Sequence, residues 1–278
     1  MREGDFFTRH TARPKESDPE SADFEGISEK GVELAKQRAA EILESLDKLE
    51  NGTIMFVGGT SEIPRTKSTA LIYGEEIKKI VSREKRDDVL VFLPEDLEKI
   101  EGYTNKVNFL VDQITANPEK KIVIDVPLFI KEFSFVGDFT TKEGKWTLYT
   151  RELLKRNNGD SEKALRDWLE NQGTIGKIKG PNPKEVAEKQ LAGLNRLREF
   201  IEKYIPGRPF VIGSVGHSWS LDALALYLAN RGEVSAETFD NLKAKMIGDT
   251  EAIEIIEKGG KQVLKYGELE IPLEKRYK

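Results

Sequence analysis

The chain has 278 residues, of which 38% are hydrophobic and 33% are charged, and its formal net charge is −5. This composition is typical of a folded globular protein and lacks the excess of positive charge with which proteins bind nucleic acid. The chain contains no cysteine and only two histidines, which excludes disulfides, cysteine nucleophiles and multi-histidine zinc sites.

Strand and helix patterns alternate along the first half of the chain. Ser28 is in position to cap the first of the predicted helices, since apolar residues recur at helical spacing after it. Short apolar runs predict strands at 6–8, 53–57, 89–93 and 121–126. Helices are predicted at 28–49 and 65–81, and from residue 94 to about residue 114.

The regular alternation stops at about residue 125 and returns at about residue 183. We interpret 125–183 as an insertion that packs over one end of the sheet and contains a helix at 161–172 and a flexible Gly-rich loop, GTIGKIKG. Beyond it, the patterns predict a helix at 183–204, a strand at 210–215, a helix at 220–230 and a closing hairpin at 263–271.

Strands that alternate with helices favour an α/β fold. We predict a three-layer α/β/α sandwich with a mainly parallel central sheet and an inserted cap-like segment. The length fits a single α/β domain over 1–278 with the insertion at about 125–183. No apolar run is long enough to cross a bilayer, and the first residues lack the apolar core of a signal peptide, so we expect a cytoplasmic protein without a membrane partner.

Two predicted strands end in residues suited to phosphate chemistry. Arg9 and His10 follow the first strand, and His217 follows the strand at 210–215. Ligands bind at the carboxyl ends of the strands in sheets of this kind. A neutral imidazole is a competent nucleophile, while a guanidinium group disfavours imidazole protonation and matches two phosphate oxygens at once.

Three segments in this order resemble the histidine phosphatase superfamily, especially its phosphoglycerate-mutase-like branch. Arg9 and His10 match the Arg-His-Gly motif of that family, and His217 matches its second histidine. The segment SEIPRTKSTA resembles the second motif, Ser-x-Leu-x-Arg-Ala-x-x-Thr-Ala, and ISEKGVELA resembles the start of the family's first helix. The matching positions of the second motif are Ser61, Ile63, Arg65, Thr69 and Ala70.

The resemblance implies a mechanism that needs neither a metal nor a cofactor. His10 would attack phosphorus and form a phosphohistidine, while Arg9, Arg65 and His217 hold the phosphoryl oxygens. Two positions depart from the family pattern, since Thr11 replaces the usual glycine and Lys67 stands near a position that is usually apolar or small.

A general acid must also protonate the leaving oxygen, and the resemblance implies a carboxylate near the third strand. Glu98 has the family's spacing to Gly102, whereas Glu95 lies closer to the strand end, so both are candidates. The other branch of the superfamily has an aspartate directly after its second histidine. Here that position is Ser218, and Asp222, one helical turn further on, is expected to point elsewhere.

The insertion contains three large aromatic residues, Trp146, Tyr149 and Trp168. We expect them to pack in its core, although a segment above a phosphate pocket is also where substrate selectivity can be built. The family's functional pattern does not extend over this segment.

The sequence favours a metal-independent phosphomonoesterase that acts on a small phosphorylated metabolite and binds phosphate. One alternative is a phosphotransferase of the phosphoglycerate mutase type, which would use the same pocket. The other is a noncatalytic domain that recognises a phosphorylated ligand. The oligomeric state does not follow from the sequence.

Overall fold

A computed structural model describes residues 4–128 and 130–274 of the chain. The principal strands are β1 Phe6–Arg9, β2 Ile54–Gly59, β3 Val89–Phe92, β4 Lys121–Asp125, β7 Phe210–Gly216, β8 Ala252–Lys258, β9 Lys261–Tyr266 and β10 Leu269–Pro272. A short hairpin consists of β5 Thr174–Ile175 and β6 Ile178–Lys179. The helices are α1 Glu29–Asp47, α2 Pro64–Arg83, α3 Pro94–Glu98, α4 Tyr103–Ala116, α5 Leu148–Arg156, α6 Ser161–Asn171, α7 Pro183–Tyr204, α8 Ser218–Ala229 and α9 Ala236–Asn241.

The central sheet has the strand order β10-β9-β8-β1-β7-β2-β4-β3. The strands from β1 to β3 in this order pair in parallel, whereas β8, β9 and β10 pair antiparallel at the other edge. The predicted α/β class is therefore confirmed: the sheet is mixed but mostly parallel, and helices flank it.

Each face of the sheet has its own apolar core. On one face, α1 and α2 pack together over the alternate strand residues Met55, Val57, Val123 and Val211. On the other face, α7 and α8 cover Phe7 and Ile212, and Ile114 of α4 covers Ile54, Ile122 and Ile124. The side chains of a strand alternate between the two faces of the sheet. The strands therefore bury apolar residues on both faces, as a parallel sheet with helices on both sides requires.

Helix α1 begins where the sequence predicts. The Ser28 side chain accepts a hydrogen bond from the Gly31 backbone N–H, which satisfies one of the free donors at the helix start. Gly31 also allows the helix to approach the loop after β1, since a Cβ atom there would lie 2.7 Å from the Ala12 carbonyl oxygen.

The segment between β4 and α7 contributes no strand to the central sheet. It contains α5, α6 and the β5–β6 hairpin, so the Gly-rich stretch is a hairpin rather than the flexible loop that was expected. An aromatic cluster attaches the segment to α8, with ring centroids 4.7–6.0 Å apart among Phe135, Phe139, Trp168 and Trp219. Phe129 of this segment lies outside the described residues.

The structure differs from the sequence prediction in several further places. The helix expected from residue 94 is divided into α3 and α4 by Gly102, whose φ of +80° leaves the helical region. Helix α5, strand β8 and helix α9 were not predicted. Within residues 4–128 and 130–274, no helix combines the length and apolarity that crossing a membrane requires.

Candidate active site

The two histidines meet at the carboxyl ends of neighbouring strands. In the parallel pair of β1 and β7, Arg9 lies opposite Gly216, so the next residue of each strand is a histidine. The His10 and His217 ring centroids are 5.2 Å apart, with an angle of 69° between the ring planes. The sheet register therefore brings together two residues that are far apart in the sequence.

Arg65 contacts the ring of His10 directly. It lies in the first turn of α2, and its Nε donates a hydrogen bond of 2.9 Å to His10 Nε2. His10 Nδ1 lies 2.8 Å from the Thr11 carbonyl oxygen, so the ring proton belongs on Nδ1 and donates there. The unprotonated Nε2 then presents its lone pair to the Arg65 guanidinium group.

Both imidazoles are neutral at pH 7. Burial lowers the pKa of His10 well below 6.5, and the guanidinium groups of Arg65, Arg9 and Arg13 lower it further. Burial also lowers the pKa of His217 well below its usual value, with added contributions from His10 and the same three arginines. Burial and the neighbouring arginines lower the pKa of Arg65 to about 10, so its side chain stays charged.

Arg9 is held by the chain segment that precedes β8. Its Nη1 donates to the Ile247 carbonyl oxygen at 2.9 Å, and its Nη2 lies 3.2 Å from Asp249 Oδ1. Arg9 Nε is buried and has no hydrogen-bond partner among the described residues. A buried donor of this kind is suited to an anionic acceptor beside His10.

His217 is fixed from two sides. Its Nε2 lies 3.0 Å from Ser61 Oγ, which follows β2 and matches the second family motif. The Phe135 ring stacks on the imidazole at a centroid distance of 4.0 Å and an interplanar angle of 30°. The imidazole is therefore oriented by the loop after β2 and by the segment between β4 and α7.

These residues surround one cavity of about 60 Å³. The N-terminus of α8 contributes Ser218 and Trp219 to its wall, and the positive end of a helix favours a bound anion. The complete lining is Arg9, His10, Arg13, Arg65, Phe135, Trp146, Leu154, Ser161, His217, Ser218 and Trp219.

The two departures from the family pattern do not enter this lining. Thr11 is fully buried, and its Oγ1 donates to the Gly31 carbonyl oxygen of α1 at 2.7 Å. Its backbone N–H donates to Thr69 Oγ1 at 3.2 Å. Lys67 lines a different cavity. The threonine side chain is thus accommodated against α1, outside the lining around His10.

The carboxylates considered for the general acid lie elsewhere. Glu95 and Glu98 are exposed and border a second cavity of about 410 Å³, which they share with Asp125. Asp222 is fully buried and accepts hydrogen bonds from the Ile247 N–H at 3.1 Å and from the Tyr266 hydroxyl at 2.8 Å. Asp222 is not among the residues that line the cavity around His10, and it holds the segment that binds Arg9.

Several site residues were not identified from the sequence. Phe135 and Asp249 lie in loops without a recognisable pattern, and their neighbours in space are remote in the chain. Arg13 follows the Arg-His pair by only three residues, and this proximity was the one available signal. Among the described residues, no group of three or more His, Asp or Glu side chains could hold a metal ion.

Comparison with known proteins gives structural similarity only. No protein-family model matches the chain, and no curated protein does. A mycobacterial glucosyl-3-phosphoglycerate phosphatase has 14% identity and a TM-score of 0.45, with 91% of this chain and 89% of that chain covered. The structure of its complex with inorganic phosphate has 15% identity and a TM-score of 0.46, with the same coverage of both chains.

The alpha-ribazole phosphatase from Shigella flexneri gives 14% identity and a TM-score of 0.39, with 94% of each chain covered. These similarities concern the overall course of the chain at low sequence identity. The chemistry of the site depends on the contacts of Arg9, His10, Arg65 and His217 described above.

Proposed function

We propose that this chain is a metal-independent phosphomonoesterase of the histidine phosphatase type, in the phosphoglycerate-mutase-like branch, acting on a small phosphorylated metabolite. The observation that carries the proposal is the unprotonated Nε2 of His10, which lies 2.9 Å from Arg65 Nε in a cavity also lined by Arg9 and His217. A nucleophile beside fixed cationic donors is the arrangement that phosphoryl transfer requires.

Substrate binding begins with an exchange of hydrogen bonds. The Arg65 guanidinium group now donates to His10 Nε2, and a phosphoryl oxygen is a stronger acceptor for it. When the guanidinium group turns to the phosphoryl group, the Nε2 lone pair is released. Arg9 Nε and the N–H groups at the start of α8 supply further donors to the equatorial oxygens.

The reaction then takes two steps. His10 Nε2 attacks phosphorus, so that a P–N bond forms while the P–O bond to the alcohol breaks and the leaving oxygen takes a proton from solvent water. Water next attacks the phosphohistidine, which releases phosphate and restores the neutral imidazole. The charge that develops on the equatorial oxygens is stabilised by donors that are already in position.

The first test measures hydrolysis of 4-nitrophenyl phosphate with EDTA present, in the native chain and in His10→Ala. We expect chelator-resistant turnover that falls by about a thousandfold or more in the variant, because the nucleophile is removed. Arg65→Met should also lower turnover strongly. Lys67→Met is its matched control, since Lys67 is on the same helix but lines a different cavity, and it should retain native turnover.

Further measurements on the native chain separate the proposed phosphatase from the mutase and from the recognition domain. Rapid acid-free quenching of the native chain should trap phosphate on His10, and phosphate should be released in each turnover. Transfer of the phosphoryl group between two positions of phosphoglycerate without phosphate release would identify a mutase. Phosphate binding in the native chain without any phosphohistidine would identify a recognition domain and would refute the proposed catalysis.

A further inference from the structure

The wall of the His10 cavity has two chemically different parts. One part, the polar wall, consists of imidazole and guanidinium groups, which suit the phosphoryl group. The other part, the insertion wall, comes from the segment between β4 and α7 and contains Phe135, Trp146, Leu154 and Ser161. A phosphoryl group beside His10 brings its alcohol close to these side chains, because they line the same cavity.

Trp146 differs from the other large aromatic residues of the segment. Trp168 and Tyr149 are 0% and 1% exposed and form the core, as the sequence predicted. Trp146 is only half-buried and lines the cavity. Its ring meets the Phe135 ring edge-on at 6.4 Å, and Phe135 in turn stacks on His217. The indole is therefore linked through Phe135 to the imidazole of His217.

Polar side chains are few on the insertion wall. Outside the imidazole and guanidinium groups, the polar side chains among the described lining residues are those of Ser161 and Ser218. A polyhydroxylated alcohol would leave several hydroxyl groups desolvated against Trp146 and Leu154, which costs binding free energy. An aromatic ring would instead bury apolar surface and stack on the indole.

We infer that the cavity selects phosphomonoesters of flat, apolar alcohols, whose ring packs between Trp146 and Leu154 while the phosphoryl group faces His10. This inference rests on the proposed function and names the substrate class of the same site. The segment between β4 and α7 supplies the side chains that select the alcohol. The residues at the ends of β1 and β7 supply the side chains that act on the phosphoryl group.

The test compares benzyl phosphate with glycerol 1-phosphate, because both release an alkoxide of similar basicity. We expect kcat/KM to be at least about tenfold higher for benzyl phosphate, which is the effect of burying part of a ring. Leu154→Ala should reduce this preference to about threefold or less. Leu148→Ala is the matched control, because Leu148 is on the same helix but is 59% exposed, and it should leave the preference unchanged.

A binding measurement separates this inference from the proposed hydrolysis. Benzylphosphonate and methylphosphonate carry P–C bonds that the reaction does not cleave, and calorimetry gives their affinities directly. We expect the native chain and Leu148→Ala to bind benzylphosphonate about tenfold more tightly than methylphosphonate, and Leu154→Ala to lose the difference. Equal affinities in the native chain, or faster turnover of glycerol 1-phosphate, would overturn the inference even if His10 proves to be the nucleophile.

Discussion

The protonation state of His10 follows from where its ring lies. Burial disfavours the imidazolium form, and the Arg65 guanidinium group disfavours it again. Because the pKa of His10 is lowered well below 6.5, its imidazole stays neutral while the pH falls through the range in which an exposed histidine becomes charged. The same argument holds for His217, which is also buried.

Single-residue variants can test the candidates for the general acid. Glu95→Gln and Glu98→Gln should each leave kcat/KM for an alkyl phosphate within about threefold of the native value, because both side chains border a separate cavity. The measurement uses glycerol 1-phosphate, whose poor leaving group needs the proton most. Conversely, a loss of about a hundredfold with this ester but not with 4-nitrophenyl phosphate would assign the acid to the residue replaced.

The residues that the sequence identified are those with a local signal. Arg9, His10 and His217 follow apolar strands, and Arg65 belongs to a motif of ten residues, so short stretches of chain were sufficient to single them out. Phe135 and Asp249 have no such signal. Their roles depend on contacts with His217 and Arg9 that form only when remote parts of the chain pack together.

Elements were predictable where one pattern continued over enough residues. The buried runs of β2, β4 and β7 and the N-cap of α1 supplied such patterns. The apolar run of strand β8 is interrupted by Glu254 and Glu257, a weaker signal that was missed. Nothing local specifies that β1 lies between β7 and β8, because strand order is determined by packing across the whole sheet.

One prediction concerns the junction between the β1 loop and α1. Thr11→Ala should lower the free energy of unfolding by about 1–3 kcal/mol, because the buried Gly31 carbonyl oxygen loses the Thr11 hydroxyl donor. Thr11→Ser keeps the hydroxyl donor and should lower the free energy of unfolding by less than Thr11→Ala does. Urea unfolding of both variants measures the difference. If the two variants were equally destabilised, the methyl group rather than the hydrogen bond would be what stabilises this junction.

At the scale of the molecule, Asp222 joins parts of the chain that are distant in sequence. It lies on α8 and accepts hydrogen bonds from Tyr266 of β9 and from Ile247, whose carbonyl oxygen in turn binds Arg9. Burial raises the pKa of Asp222 from about 3.8 to about 7. Its other carboxylate oxygen, Oδ2, is buried without a partner among the described residues.

This raised pKa makes the stability of the whole chain depend on pH. The folded state binds the Asp222 proton more tightly than the unfolded state, so this contribution falls as the pH rises from about 4 to about 7. Asp222→Asn cannot ionise at this position. Between pH 4 and pH 8, its free energy of unfolding should therefore rise relative to that of the native chain by up to about 4 kcal/mol. Urea unfolding at the two pH values measures this change.

Asp240→Asn is the control for this prediction. Asp240 is exposed and pairs with Arg166 at 2.7 Å, and the hydrogen bond from Arg166 lowers the pKa of Asp240. Its replacement should give no gain in stability as the pH rises. A pH-independent difference between Asp222→Asn and the native chain would mean that the Asp222 carboxyl group titrates at its ordinary pKa in the folded protein.

The contacts that hold Arg9 have a consequence for the order in which the chain can fold during its synthesis. Ile247 and Asp249, which hold Arg9, are translated more than two hundred residues after it. A nascent chain can therefore pair β1 with β7 before the segment that holds Arg9 has been translated.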